Sequence, residues 1–438
     1  MSRTLVRELG DSIDSEVTVQ GWLHKKRLLG GLNFITLRDR SGTVQSLIKN
    51  KDEIEKLRGL QIGTVMSLTG KVVADERAPG GVELHDVQVS VQVAVTDEPP
   101  IEIDKPILHK SENLDTLFEY RVLNIRNLNE QKIFKIRASL LKYIREFLSE
   151  KEFVEIQTPK LLAEATEGGA EVFTLDYFDK TATLAQSPQF YKQIMVGAYE
   201  RVFEIAPAFR AEPSATTRHM SEVMMLDIEM GFVSGHDEVL DMVGDLTINA
   251  LNRVYSEHAA DMKTLNAPDL VLPSDGKVPR FSVDEIHKMY TKATNTDTTK
   301  EKDLTPDEEK WISQYARKEL GSDLVYATDF PIEAAKFYHK RNTEKGTVYW
   351  GDLLFRGLEI ATVPLRENNY EKMLAQMKEA GLDVDHEGFK YYLQAFKYGL
   401  PEHGGCGYGI DRLVEKTIGL ANVKEATLFP RDINRLTP

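Results

Sequence analysis

The chain has 438 residues, 41% hydrophobic and 28% charged, with a formal net charge of −14 and one cysteine, Cys406. That length exceeds one ordinary core and reads as a small and a large domain, and a single cysteine excludes an internal disulfide. No run approaches the roughly 18 apolar residues of a membrane span and the N-terminal residues lack a signal-peptide core, so the expected setting is the cytoplasm, with no membrane partner.

Whole-chain acidity argues against a nucleic-acid partner, because phosphate binding is driven by local lysine and arginine. The distribution points the other way at the N-terminus. Residues 1–50 hold eight Lys/Arg against five Asp/Glu, with the excess in HKKR.

From Val17 to Val95 come the runs VTVQGWLH, NFITLRD, TVQSLIK, TVMSLTGKVV and VELHDVQVSVQV, separated by Gly and Ser-Gly turns. A short helix candidate, KDEIEKLRGL, follows the third. Five strands with a helix after the third is the order of an OB-type barrel, expected over residues 1–98. Residues 99–130, with prolines and no sustained period, read as a linker or hinge.

An α+β domain with a mostly antiparallel sheet is expected over 131–438. In EQKIFKIRASLLKYIREFLSEKEF, Ile133, Ile136, Leu140, Tyr143, Ile144 and Phe147 form one helical stripe. FVEIQTP reads as a strand ended by Pro159. The β runs RVFEIAPAFR, VMMLDIEMGFV, LVYATDFP and GDLLFRGLEIAT mix with the amphipathic helices HDEVLDMVGDLTINALNRVYSE and ENNYEKMLAQMKEAG. Residues 265–322 are polar and broken, and nothing functional is read there.

Two segments carry chemistry. FRAEPSATTRHMSEV sets Arg210 and Glu212 on one face of a strand and returns Arg218 and His219 after a loop, groups suited to polyanions and purines. HGGCGYGIDRL fails as a dinucleotide fingerprint, since the third glycine position is Arg412. It offers backbone open to a close ligand, followed by an arginine able to stack on a flat base.

The strand-ending proline of FVEIQTP, FRAE…TTRHMSE and GGCGYGIDR, in that chain order behind an OB barrel, resemble the three signature motifs of class II aminoacyl-tRNA synthetases, above all the aspartyl branch of short archaeal type. The resemblance implies ATP-dependent attachment of aspartate to tRNA through an aspartyl-adenylate. It places Arg210 on the α-phosphate and substrate carboxylate, Glu212 on the adenine side, Arg218 and His219 on the outer phosphates, and Arg412, after Gly409, on the adenine. Asp352, Glu359 and Thr362 would hold Mg2+, although Asp352 and Glu359, seven residues apart, share a face of one strand only if a bulge or bend intervenes. Gln189, Lys192, Asp227, Thr362 and Arg366 would bind aspartate, with Glu167 on its ammonium.

By the same resemblance the barrel reads the anticodon through His24, Phe34, Gln45, Pro79 and Glu83. His24 and Pro79 resemble the relaxed-specificity members that charge both the aspartate and asparagine tRNAs, which would make a tRNA-dependent amidotransferase a partner. A homodimer across the Pro159 region is implied too. From charge, an asparagine amide in the pocket is expected to leave a buried cation unpaired, at roughly 3–5 kcal/mol. Two departures stand out: Thr362-Val363-Pro364-Leu365-Arg366 where the family has serine, two glycines, glutamine and arginine, and Pro213-Ser214-Ala215 in the FRAE loop. The rival readings are an asparaginyl-tRNA synthetase and a non-catalytic tRNA-binding paralogue.

Overall fold

A computed structural model of the protein describes residues 2–29, 32–105, 113–163, 171–213 and 216–438. The chain forms two compact units, residues 1–131 and 132–438.

In the first unit, β1 (Glu16–Leu29), β2 (Leu32–Arg38), β3 (Thr43–Ile48), β4 (Val65–Ala74) and β5 (Val82–Val93) close into a barrel in the order β1-β2-β3-β5-β4. Period-two patterning sends Ile35, Leu37, Val44 and Ile48 inward and leaves their neighbours on the outer face. Helix α1 (Lys51–Arg58) follows β3 as expected, started by Asn50, whose side chain accepts from the Asp52 amide. At its other end the Lys26 ammonium donates to the carbonyls of Leu57, Arg58 and Leu60 at 3.4, 3.1 and 2.6 Å. One cation of HKKR is therefore a helix C-cap.

The stretch read as linker carries α2 (Leu114–Glu119) and α3 (Arg121–Asn124). Arg121 is buried there, with Nη1 2.9 Å from Glu130 Oε2. Helices of six and four residues are too short to print a stripe on the sequence, which is why they escaped notice.

The second unit opens with α4 (Leu128–Glu150), whose Ile133, Ile136, Leu140 and Ile144 are fully buried. Its strands are β6 (Val154–Glu155), β7 (Leu161–Leu162), β8 (Thr174–Tyr177), β9 (Lys180–Leu184), β10 (Arg201–Phe209), β11 (Glu222–Gly231) and β12 (Arg280–Ser282). Then come β13 (Leu324–Thr328), β14 (Arg341–Asn342), β15 (Thr347–Val348), β16 (Trp350–Phe355), β17 (Leu358–Pro364) and β18 (His403–Gly409). Eight make one sheet, β12-β13-β16-β17-β18-β11-β10-β6, parallel only at its two edge pairs; β7-β9-β8 and β14-β15 form small separate sheets.

The helices are α5 (Gln189–Tyr199), α6 (His236–Glu257), α7 (Ala259–Leu265), α8 (Val283–Thr294), α9 (Pro306–Leu320), α10 (Tyr370–Glu379), α11 (Glu387–Lys397) and α12 (Ile410–Ile418). Leu240, Val243, Leu246 and Ala250 of α6 share one core with Leu226 and Ile228 of β11, Leu353 of β16 and Tyr408 of β18. Residues 265–322, read as broken, hold α8 and α9. Each starts in a capping box, Ser282 with Glu285 and Thr305 with Glu308.

Glycines make the centre of this sheet possible. A Cβ on Gly405 of β18 would lie 1.9 Å from the Ile228 carbonyl oxygen of β11, so only a bare Cα fits between these strands.

Candidate active site

GDLLFRGLEIAT is two strands, not the single β run expected. Arg356 and Gly357, both at positive φ (51° and 78°), turn β16 into β17. Leu353 pairs with Ala361 but Leu354 with Glu359, so Ile360 is an extra, bulged residue. Without the bulge, Glu359 and Thr362 would point to opposite faces. With it, the Thr362 hydroxyl donates to Glu359 Oε1 at 2.9 Å, while Thr362 pairs across the hairpin with Asp352. Two acidic groups thus converge. Burial first, then the neighbouring Glu359 charge, push the Asp352 carboxyl well above the usual aspartate range. Burial also opposes charge on Glu359, but the nearby Arg412, the Thr362 hydroxyl and Arg210 hold it below its ordinary value. Asp352 Oδ1 also accepts from Trp350 Nε1 at 2.7 Å.

Cations surround that acidic pair. Arg412 sits in the first turn of α12, and its Nη1 donates to the Glu359 backbone oxygen at 2.9 Å and to Oε2 at 3.2 Å. Arg210 leaves the end of β10 exposed and, among the described residues, its guanidinium makes no side-chain hydrogen bond or ion pair. Beyond the loop, Arg218 Nη1 reaches Glu309 Oε2 of α9 at 3.1 Å, and His219 Nδ1 lies 2.7 Å from the Thr216 hydroxyl. Glu309, from the stretch given no role, is the partner that aims Arg218. Burial, only partly offset by Arg218, raises its carboxyl.

The far end is a buried lattice of charge. Pro188 sits at the N-cap of α5, which places Gln189, Lys192 and Gln193 on one buried face. Lys192 Nζ lies 2.9 Å from Asp227 Oδ1, 2.9 Å from the Cys406 carbonyl oxygen and 3.6 Å from Glu229 Oε2. Arg366 grips Glu229 with two points, Nε to Oε1 at 2.9 Å and Nη2 to Oε2 at 3.2 Å. Glu229 is fully buried. Burial pushes its carboxyl up, but Arg366 and Lys192 outweigh that and hold it below the usual value.

Glu229, two residues after Asp227 on the same face of β11, carries no signal in the sequence, and its presence changes what charge predicts. Both cations already have carboxylate partners, so asparagine would leave neither unpaired, and the 3–5 kcal/mol penalty expected from that source does not apply.

Hydrogen bonds also orient Gln189. His403 Nδ1 is 2.8 Å from the Pro401 carbonyl and must donate to it; burial lowers the ring's pKa, so Nε2 is bare and accepts from Gln193 Nε2 at 2.9 Å. Gln193 Oε1 then accepts from Tyr392 and, at 2.8 Å, from Gln189 Nε2, which leaves Gln189 to offer its carbonyl oxygen to solvent or ligand.

One cleft of about 530 Å3 joins the two ends. Of the residues picked from sequence it takes in Arg210, Glu212, Arg218, His219, Glu359, Gly409, Arg412, Gln189, Lys192, Asp227, Thr362 and Arg366. Asp352 stands behind Glu359 and Thr362 rather than on the wall, and Glu167, Ser214 and Ala215 lie outside the described residues. Among the described residues no cluster of three or more His, Cys, Asp or Glu side chains could hold a metal by itself.

On the barrel, Phe34 of β2 and Gln45 of β3 point outward, half-buried, so Phe34 is not a core residue. The Gln45 amide donates to the buried Glu83, whose other oxygen is 3.1 Å from His85 Nε2. His24 stands at the register shift of β1; burial, then the Arg38 charge, lower its pKa. Pro79 is exposed at the turn before β5. Trp22, missed from sequence, shares this barrel, with the Arg38 guanidinium 4.9 Å from its ring centre.

Comparison with known proteins supplies the family. Residues 113–433 match the class II tRNA synthetases (D, K and N), and residues 17–96 match the OB-fold nucleic acid binding domain. The chain is 38% identical over its full length to the whole aspartate–tRNA(Asp/Asn) ligase of Thermus thermophilus. It is equally identical, over 96% of each chain, to the aspartate–tRNA(Asp) ligase of Pyrococcus furiosus. The solved asparaginyl-tRNA synthetase of Pyrococcus horikoshii, complexed with asparaginyl-adenylate, superposes over 100% of both chains with a TM-score of 0.91 at 29% identity. A charged cleft on an antiparallel sheet and a barrel with an aromatic outer face are thus the two parts of a tRNA ligase, and the chain belongs to the class II tRNA synthetases, within them to the aspartate–tRNA ligases.

Proposed function

We propose that the protein activates L-aspartate with ATP to an aspartyl-adenylate and transfers it to tRNA, in the cytoplasm and as a homodimer across the Pro159 region. The observation that carries this reading is that Arg210, Arg412, Lys192 and Arg366, from four separated segments, line a single cleft. Adenylate formation brings a carboxylate against an α-phosphate, which needs charge neutralised and an in-line geometry held. Arg210, which makes no side-chain hydrogen bond or ion pair among the described residues, would bridge those two anions. Arg218, aimed by Glu309, and His219 take the outer phosphates. The aliphatic and planar parts of Arg412 cover the adenine, with Glu212 at its edge.

Aspartate enters the other end, its side-chain carboxylate on Lys192 and Arg366 and its ammonium toward the Gln189 oxygen, Asp227 and Glu167. Asp352, Glu359 and Thr362 fit Mg2+. Two carboxyls brought together where burial opposes charge on both are suited to a hard dication, which typically takes one or two carboxylates and completes its shell with water and phosphate. When bound it would neutralise phosphate charge.

The barrel reads the anticodon. Phe34 stacks on a splayed base, worth roughly 1–3 kcal/mol, and Gln45, oriented by Glu83, hydrogen-bonds the central base. His24 and Pro79 support charging of both the aspartate and asparagine tRNAs, with an amidotransferase completing the second product.

The decisive test is pyrophosphate exchange with aspartate and with asparagine, then charging of purified tRNA-Asp and tRNA-Asn. Aspartate-dependent exchange and charging of both tRNAs are expected. Exchange with asparagine alone would reject the substrate, and charging of tRNA-Asp alone would reject the relaxed specificity. The asparaginyl rival is kept in view by one observation, the neutral pairing of Lys192 and Arg366 with Asp227 and Glu229.

A further inference from the structure

Along residues 362–366, the end of β17 and the two positions after it, Thr362, Pro364 and Arg366 meet the cleft, while Val363 and Leu365 point into the core at 0% and 2% exposure. A proline in the interior of a sheet is unusual, because it has no N–H for the ladder. Its effect is visible. β17 pairs with β18 at Ala361–Tyr408 and Thr362–Gly407, skips the next two positions, and resumes with the single bridge Leu365–Gly404.

Neighbouring bonds prevent Pro364 from receding. The Val363 carbonyl is 2.8 Å from His236 Nε2, the Leu365 amide donates to Tyr349 at 2.8 Å, and the Arg366 amide donates to His403 at 2.9 Å. The pyrrolidine ring is therefore a fixed, apolar step midway between the Thr362 and Arg366 ends of the cleft, about 7 Å along the strand from each.

We propose that Pro364 is a specificity-determining residue, the rigid floor beneath the Cα–Cβ bond of the acidic amino acid, which excludes substrates substituted at Cβ. The inference rests on aspartate as the substrate, whose two carboxylates would span the ring from Thr362 to Arg366. A substituent on Cβ meets a ring with no rotamer to adopt and a backbone with no slack, and one extra carbon in such a site is worth on the order of 10–200-fold in discrimination.

The test is pyrophosphate exchange with aspartate and with each diastereomer of 3-methylaspartate, in the unmodified protein, Pro364→Ala and Pro364→Gly. Unmodified protein should reject at least one diastereomer by about a hundredfold. Both variants should narrow that ratio about tenfold, with aspartate itself losing about fivefold as the floor slackens. The ratio is taken within one sample, so a smaller folded fraction cancels. An unchanged ratio in both variants, or ready use of both diastereomers by the unmodified protein, overturns the proposal. Absence of aspartate-dependent exchange in the unmodified protein overturns instead the substrate reading beneath it.

Discussion

Replacing Lys192 by methionine would look, from sequence, like the removal of a substrate contact that spares the fold. The structure predicts both effects together. Lys192 is buried, donates to Asp227 and the Cys406 carbonyl at 2.9 Å, and lies 3.6 Å from Glu229. Methionine fills the volume but leaves two buried carboxylates facing one guanidinium. Breaking a buried pair in this way costs roughly 3–5 kcal/mol. For a unit this large that lowers the melting temperature by about 5–15 °C.

The pH dependence has a definite sign. Glu229 is held below its ordinary value of 4.5, in part by Lys192, so its ionised form contributes stability above that value, lost as pH falls through the folded pKa. The gap between unmodified protein and Lys192→Met should therefore be widest at neutral pH and shrink toward and below pH 4.5. Urea unfolding followed by tryptophan emission, from neutral pH down through about pH 3.5, measures the stability gap, and aspartate-dependent exchange at neutral pH measures the loss of activity. A cost below about 1 kcal/mol at neutral pH would show that Lys192 does not hold the two carboxylates together.

Further outcomes are expected elsewhere. Glu309→Gln should raise the KM for ATP about tenfold and leave that for aspartate within twofold, since Glu309 acts only through Arg218; equal changes in both would deny it a positioning role. Chelation of divalent cations should abolish aspartate-dependent exchange, and Mg2+ should restore it; exchange persisting in excess chelator would remove Asp352 and Glu359 from the ATP site. Phe34→Ala should weaken tRNA binding by roughly 1–3 kcal/mol while exchange without tRNA stays unchanged. Filter binding with tRNA-Asp checks this, and undiminished binding would return Phe34 to a packing role.

What could be read from the sequence was local. The barrel strands announce themselves by alternation, and α4 and α6 by stripes long enough to repeat. FRAE and the glycine-rich segment carry their cations in motifs whose residues are close in the chain. What escaped needed distant partners. Glu229 meets Arg366 across 137 positions and Glu309 meets Arg218 across 91, and neither glutamate stands out where it is written. The same blindness gave the asparagine argument its error, since unpaired cations cannot be told from paired ones without knowing what folds against them. Asp352 and Glu359 were legible only conditionally for another reason: the bulge that brings them together changes the parity of a strand, and no residue type marks it.

That bulge constrains how the hairpin can change over time. Since one supernumerary residue decides which side Glu359 occupies, deleting or adding a single position beside it would swing the glutamate into the oily interior. In this connection the number of residues matters as much as their identity, because without Ile360 the meeting of Glu359 with Thr362 is lost.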